Sequence, residues 1–330
     1  MSSCIPLRYR GASPLGRSRC TNVYHSGLAV GRHVMAAMSS EGGGGQTGMR
    51  MEINGAELCA DTIGDPAHPA VLLIMGAAGS MDRWEEPFCE RLAAAGRYVI
   101  RYDHRDTGGS TSYPPGKPGY TSDDLFADAI GILDHLGVER AHLVGLSMGG
   151  GIAQWLALER PERVLSLTLL STSPLGTGGP RLPPMSDEMR AVFGAQREEP
   201  DWSDREAAIA YLLEAERPYA GSRGVDDDAM RALLGRVYDR STSLASAENH
   251  FMLEGSETVR ARLAEVAAPT LVVHGTEDPL FALAHGEALA REIPGAELLV
   301  IDGLGHEFPP WAWDEVLPAL IAHTSLEGAD

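Results

Sequence analysis

The apolar run Ala141-His-Leu-Val-Gly-Leu146 passes through one serine, Ser147, into the helical pattern Met148–Glu159. Few folds accept that hand-over. The run has the length of a buried strand, and the helix follows with no loop between them. A strand can turn into a helix in one residue only where small neighbours let the backbones pass closely. Gly145 and Gly149 supply them, in the pattern G-x-S-x-G. Such a turn strains the serine backbone and stands its hydroxyl at a helix N-terminus, where the dipole favours developing negative charge. A chain with 38 glycines produces the five-residue pattern easily, so the flanking elements carry the argument.

Those elements belong to a longer rhythm. Strands are predicted over Met49–Asn54 and Glu57–Ile63, as a hairpin turning at Asn54-Gly55, and over Val71–Met75, Tyr98–Tyr102, Ala141–Leu146, Val164–Ser171, Thr270–His274 and Ala296–Ile301. Helices are predicted over Trp84–Ala95, from a cap at Thr121 or Ser122 to Leu136, and over Met148–Glu159, Leu283–Glu292 and Trp311–His323. Alternation of this kind predicts an α/β fold, a mostly parallel central sheet with helices on both faces. Residues 173–265 interrupt it. They open with prolines and glycines and continue as helical patterns over Ser186–Gln196, Ser203–Glu216 and Asp226–Glu254, with a break expected near Gly235. They read as a helical cap inserted into a core made of residues 49–172 and 266–330.

Residues 1–48 read differently. The first 40 hold five arginines and no acid, with no compact apolar stretch for a secretory signal. A disordered basic extension is expected, joined through Gly42–Gly45, with a targeting segment or a start codon set too early as the alternatives. Overall, 27 Lys and Arg stand against 46 Asp and Glu, a net charge of −19. That balance repels nucleic acid and anionic membranes, so neither is an expected partner. No apolar run reaches the roughly eighteen residues that a membrane span needs. Cys4, Cys20, Cys59 and Cys89 form no C-x-x-C pair, which makes a reducing cytoplasm the expected compartment. Metal-ligand spacing is lacking, and no G-x-G-x-x-G follows a strand, so neither metal nor cofactor is expected. The oligomeric state is not legible.

Ligands of open parallel sheets bind beyond the carboxyl ends of the strands. A serine there needs a base, and the base needs an acid. His306 follows the last predicted strand in Gly303-Leu-Gly-His306, and Asp278 follows Thr270–His274 in Gly-Thr-Glu-Asp278-Pro. Glu277 is the neighbouring alternative acid. The order Ser147, Asp278, His306 is that of a nucleophile–acid–base triad on an α/β sheet. Two backbone donors would hold the oxyanion: the N–H of Met148, and one from Gly76-Ala-Ala-Gly79, with Ala77 preferred and Ala78 the alternative. His104, His274 and His285 also fall near this sheet edge and read as structural. Asp103 and Arg105, in Tyr102-Asp-His-Arg-Asp-Thr-Gly108, read as an ion-pair and turn network. Phe251, Met252 and Leu253 are expected either to line a pocket or to pack within the cap.

With these residues in place, the chain resembles the α/β-hydrolase superfamily over residues 50–325. Within it, the chain is similar to the aclacinomycin methylesterase group. Tyr-Asp-His-Arg-Asp-Thr-Gly (102–108), Val-Gly-Leu-Ser-Met-Gly (144–149), His-Gly-Glu-Ala-Leu-Ala (285–290), Ile-Pro-Gly-Ala (293–296) and Gly-Leu-Gly-His (303–306) carry that similarity. It departs at Ala77 and through residues 173–265. The resemblance implies a cofactor-free ester hydrolase with Ser147 as nucleophile, Asp278 as acid, His306 as base, and Ala77 and Met148 as oxyanion donors. A small-molecule ester, such as a polyketide-like methyl ester, is the implied partner. A C–C bond hydrolase or a perhydrolase on the same triad, and a non-catalytic receptor or biosynthetic helper, are the alternatives.

Overall fold

A computed structural model of the chain describes residues 48–195, 198–253 and 259–325. The expected N-terminal extension falls outside the described residues. The strands are β1 (Met49–Ile53), β2 (Ala56–Ile63), β3 (Ala70–Ile74), β4 (Tyr98–Tyr102), β5 (Ala141–Leu146), β6 (Val164–Leu170), β7 (Thr270–Gly275) and β8 (Glu297–Ile301). They form a sheet in the order β1-β2-β4-β3-β5-β6-β7-β8, antiparallel across β1-β2-β4 and parallel from β4 to β8. β3, β5 and β7 are buried along their whole length, as their unbroken apolar sequences require. β1 carries the antiparallel edge and alternates, with Met51 and Ile53 inward.

The helices are α1 (Glu86–Ala94), α2 (Ser122–His135), α3 (Met148–Glu159), α4 (Asp187–Gly194), α5 (Arg205–Glu216), α6 (Asp227–Arg240), α7 (Ala284–Glu292) and α8 (Pro310–His323). α2, α3 and α7 bury Leu125, Ile132, Ile152, Leu156 and Leu289 against one face of the sheet. α1 and α8 bury Phe88, Leu92, Trp313 and Leu320 against the other. Along β3, Leu72 and Ile74 join the first core while Val71 and Leu73 join the second, the period of two that a strand imposes. α2 starts where the sequence predicts: Asp124 Oδ2 accepts the Thr121 N–H at 2.8 Å. It stops before Gly137 at φ +69°.

Between β6 and β7 the described residues form α4, α5, α6 and short 3-10 turns, with no strand. The expected break at Gly235 does not occur. α6 runs through it, and the Arg205 side chain of α5 lies over the glycine, where a Cβ would stand 2.8 Å from Arg205 Nη2. The break comes instead at residues 241–244, before the turn Ala245–Met252.

Arg240, at the end of α6 and 7% exposed, fastens this insertion to the core. Its Nη2 donates to Asp103 Oδ1 at 2.7 Å and its Nε to Asp82 Oδ2 at 3.0 Å. Burial alone would push the Asp82 carboxyl up, but the Arg240 bonds outweigh it and hold that carboxyl below the usual range. Asp103 also accepts the Met81 and Gly109 amides, so it cannot turn to water if the arginine is lost. Arg240→Ala is therefore expected to destabilise the protein by about 3–5 kcal/mol, read as a lowered midpoint of urea unfolding.

Candidate active site

The strand order reverses its sense of travel around β3. The chain crosses from β3 to β4 on one side and returns to β5 on the other, which opens a crevice at the carboxyl ends of β3 and β5. Ile74 pairs with Gly145, so both strands end at the same level. Ser147 follows β5 there, at φ +52° and ψ −115°, a conformation that costs a non-glycine residue energy. The surroundings hold it. Its N–H donates to Leu170 C=O at 3.0 Å, and its own C=O accepts the Thr172 hydroxyl at 2.7 Å. A methyl on Gly145 would lie 2.3 Å from the Gly149 carbonyl oxygen, and one on Gly149 would lie 2.1 Å from that of Ile74. Both positions of the pattern thus admit only glycine, for the reason the sequence suggests.

His306 Nε2 lies 3.0 Å from Ser147 Oγ, and His306 Nδ1 lies 2.8 Å from Asp278 Oδ2. A carboxylate oxygen only accepts, so Nδ1 carries the proton and Nε2 is free to accept from the serine hydroxyl. Asp278 is buried, and its other oxygen accepts the Leu280 and Phe281 amides at 2.9 and 2.7 Å. Three N–H groups therefore fix one carboxylate. The imidazole is fixed as well: the His306 N–H donates to Tyr219 C=O of the insertion at 2.7 Å, and Phe281 packs edge-on at 5.5 Å. The adjacent Glu277 turns away and accepts the Ser222 N–H.

The loop after β3 borders the serine. A methyl on Gly76 would stand 3.3 Å from Ser147 Cβ. Among the described residues the Ala77 N–H has no hydrogen-bond partner, whereas the Ala78 N–H donates to His250 Nδ1 at 2.9 Å. That difference favours Ala77 over Ala78 as a free donor. Met148 opens α3, so its N–H has no acceptor within the helix and adds the helix dipole to the same place. Together these groups can activate a hydroxyl and stabilise an oxyanion.

The remaining singled-out residues stand outside the relay. His274 donates from Nε2 to Phe281 C=O at 2.7 Å and stands 3.6 Å from Asp278, behind the acid. Burial lowers its affinity for a proton. His285 Nε2 bonds Pro183 C=O and His104 Nε2 bonds Met75 C=O. Arg105 pairs with Asp128 at 2.7 Å, and Asp103 with Arg240, as the network reading of that stretch requires. Phe251 and Met252 are exposed, 51% and 55%, while Leu253 packs on the core. At that exposure neither Phe251 nor Met252 is enclosed in a buried pocket, and Phe251 packs edge-on against Phe193 of α4, with the ring centres 6.1 Å apart. His250 was not singled out by sequence. It lies 172 positions from Ala78 in a helical-looking stretch with no motif around it.

A family model described as alpha/beta hydrolase fold matches residues 69–312. Rhodomycin D methylesterase DauP from Streptomyces sp. strain C5 is 33% identical over 290 residues, covering 81% of this chain and 94% of that protein. A 2-hydroxy-6-oxononadienedioate/2-hydroxy-6-oxononatrienedioate hydrolase from Cupriavidus pinatubonensis is 30% identical over 282 residues, covering 82% of this chain and 88% of that protein. Among solved structures, esterase RhEst1 from Rhodococcus sp. ECU1013 aligns with a TM-score of 0.66 at 25% identity, over 83% of this chain and 97% of that one. No helix among the described residues is long and apolar enough to cross a membrane.

Proposed function

The chain belongs to the α/β hydrolase fold family, and from that premise we propose that it is a serine-dependent hydrolase of carboxylic esters. The observation that carries this reading is the unbroken relay Ser147 Oγ–His306–Asp278, at 3.0 and 2.8 Å, beside an unbonded Ala77 amide. Ser147 Oγ attacks the ester carbonyl while His306 Nε2 takes its proton. The Ala77 and Met148 amides receive the oxyanion of the tetrahedral intermediate. Collapse expels the alcohol, which leaves with the proton from His306. Water then adds to the acyl-serine, losing its proton to His306, and the acid departs as Ser147 regains its hydrogen. Asp278 keeps the proton on Nδ1 and stabilises the imidazolium in both halves.

Residues 173–265 act as the cap in this reading, since Tyr219 and Gly221 of that segment meet the Gly303–His306 loop directly. The rhodomycin D methylesterase relative points to a methyl ester of an apolar, polyketide-like molecule as the substrate class. The test is turnover of p-nitrophenyl acetate and butyrate, followed by a panel of aromatic polyketide methyl esters with methanol release as the readout. Ester turnover is the expected result. The dienedioate hydrolase relative favours a second reading, cleavage of a C–C bond by the same relay. Turnover of a vinylogous 1,5-diketo acid with no ester hydrolysis would select that one.

A further inference from the structure

Two histidines that the relay does not use grip the loop after β3 on both sides of Ala77. His104, fully buried just beyond β4, donates from Nε2 to the Met75 carbonyl at 3.0 Å. His250, buried in the turn Ala245–Met252 of the insertion, accepts the Ala78 N–H on Nδ1 at 2.9 Å and donates from Nε2 to the Arg105 carbonyl at 2.8 Å. An amide only donates and a carbonyl only accepts, so His250 is a neutral imidazole with its proton on Nε2. Burial works the same way. Desolvation, helped by the neighbouring His250, pushes His104 down to about 3, and desolvation lowers His250 as well. The two rings meet edge to face at 5.8 Å, with Tyr102 against His104 at 4.9 Å and Tyr120 against His250 at 6.4 Å.

What they hold is a loop under strain. Ala78 sits at φ +59°, in the left-handed region where a Cβ is costly. Releasing its N–H would remove the bond that offsets that cost, and the peptides on either side would be free to turn. We propose that His250 and His104 are positioning residues for the oxyanion site: by claiming the Ala78 amide and the Met75 carbonyl, they fix the backbone on both sides of Ala77, whose unbonded amide then receives the oxyanion. The proposal rests on the ester-hydrolase reading. It makes the insertion part of the oxyanion machinery, because His250 comes from that segment.

The turn carrying His250 is anchored independently. Asn249 Nδ2 donates to Asp106 Oδ2 at 2.8 Å, its Oδ1 accepts the Gly116 N–H at 2.7 Å, and Ser246 Oγ donates to Tyr113 C=O at 2.7 Å. Substitution at His250 should therefore leave the turn docked. Two substitutions separate the two ends of the ring. His250→Asn puts an amide oxygen near the place of Nδ1 and keeps an acceptor for Ala78. His250→Gln puts an NH2 near the place of Nε2, keeps the donor to Arg105 and drops the acceptor.

Wild type and Ser147→Ala are first compared for p-nitrophenyl butyrate turnover and fluorophosphonate labelling. A folded wild type with neither overturns the ester-hydrolase reading, and this proposal with it. Given an active wild type, His250→Gln is expected to lower kcat by about 10–100-fold at a KM within about threefold, since a misaimed oxyanion donor acts on the transition state and not on ground-state binding. His250→Asn is expected to recover most of that loss at a similar Tm. Retention of kcat by His250→Gln would overturn the proposal, and so would equal losses in both variants, which would mark a packing role. Should His250→Gln fail to fold, His104→Gln and His104→Phe ask the same question at Met75. Loss confined to the phenylalanine variant supports the clamp, and no loss in either overturns it.

Discussion

Ser147→Ala is expected to lower kcat toward a p-nitrophenyl ester by about a millionfold, with Tm within a few degrees of the wild type. The magnitude follows from what is removed. Among the described residues the hydrogen-bond partner of His306 Nε2 is Ser147 Oγ, at 3.0 Å. Cys59 and Cys89 are both buried, and burial pushes the Cys59 thiol up to about 11 and that of Cys89 up to about 12, so neither supplies a thiolate at neutral pH. Stability should survive because the strained backbone of Ser147 is held by its own N–H and C=O, through Leu170 and Thr172, and not by its side chain. Alanine keeps the same Cβ in the same turn. Stoichiometric labelling of the wild type by a fluorophosphonate, absent in the variant, would tie the lost rate to this oxygen. Turnover that persisted in the variant would move the chemistry away from position 147 altogether.

The sequence made most of this site legible because its parts lie just past strand ends. A fully buried strand announces itself as an unbroken apolar run, and the residues after it are then known to reach one edge of the sheet. Ser147, Asp278 and His306 were found that way, although 159 positions separate the first from the last. The glycines of G-x-S-x-G were readable because steric demand on the backbone restricts the residue type, as the 2.1 Å approach at Gly149 shows. The insertion was legible only as helical. Its packing on the core depends on single long-range contacts, such as Arg240 with Asp103 and His250 with Ala78, which leave no periodic trace. Gly235 misled for a related reason. A glycine inside a helical pattern reads as a break, yet here it admits the Arg205 side chain of α5. The sequence preferred Ala77 over Ala78, but the contrast that favours it was beyond the sequence, since it lies in a distant histidine that accepts the Ala78 amide.

Asp278→Asn is expected to lower kcat by about 10⁴-fold while Glu277→Gln stays within about twofold of the wild type, both measured at pH 7 on the same ester. The geometry dictates the sign for each. Asp278 Oδ1 accepts the Leu280 and Phe281 amides, so an asparagine must keep its oxygen there and turn its NH2 to His306. An NH2 donates, and His306 Nδ1 at that position must then accept. The ring proton is driven to Nε2, which donates to Ser147 Oγ where it had accepted. The base is lost without any atom of His306 being changed, and no carboxylate remains to stabilise an imidazolium. Glu277 is under no such constraint. It accepts the Ser222 N–H in the insertion, and the amide oxygen of a glutamine accepts it equally well. Two adjacent acids in one tight loop are thus separated by which one meets a histidine and which one meets a backbone amide. If the large loss fell on Glu277→Gln and spared Asp278→Asn, the acid of the relay would be Glu277, and the loop from residue 276 to 281 would have to turn over for catalysis.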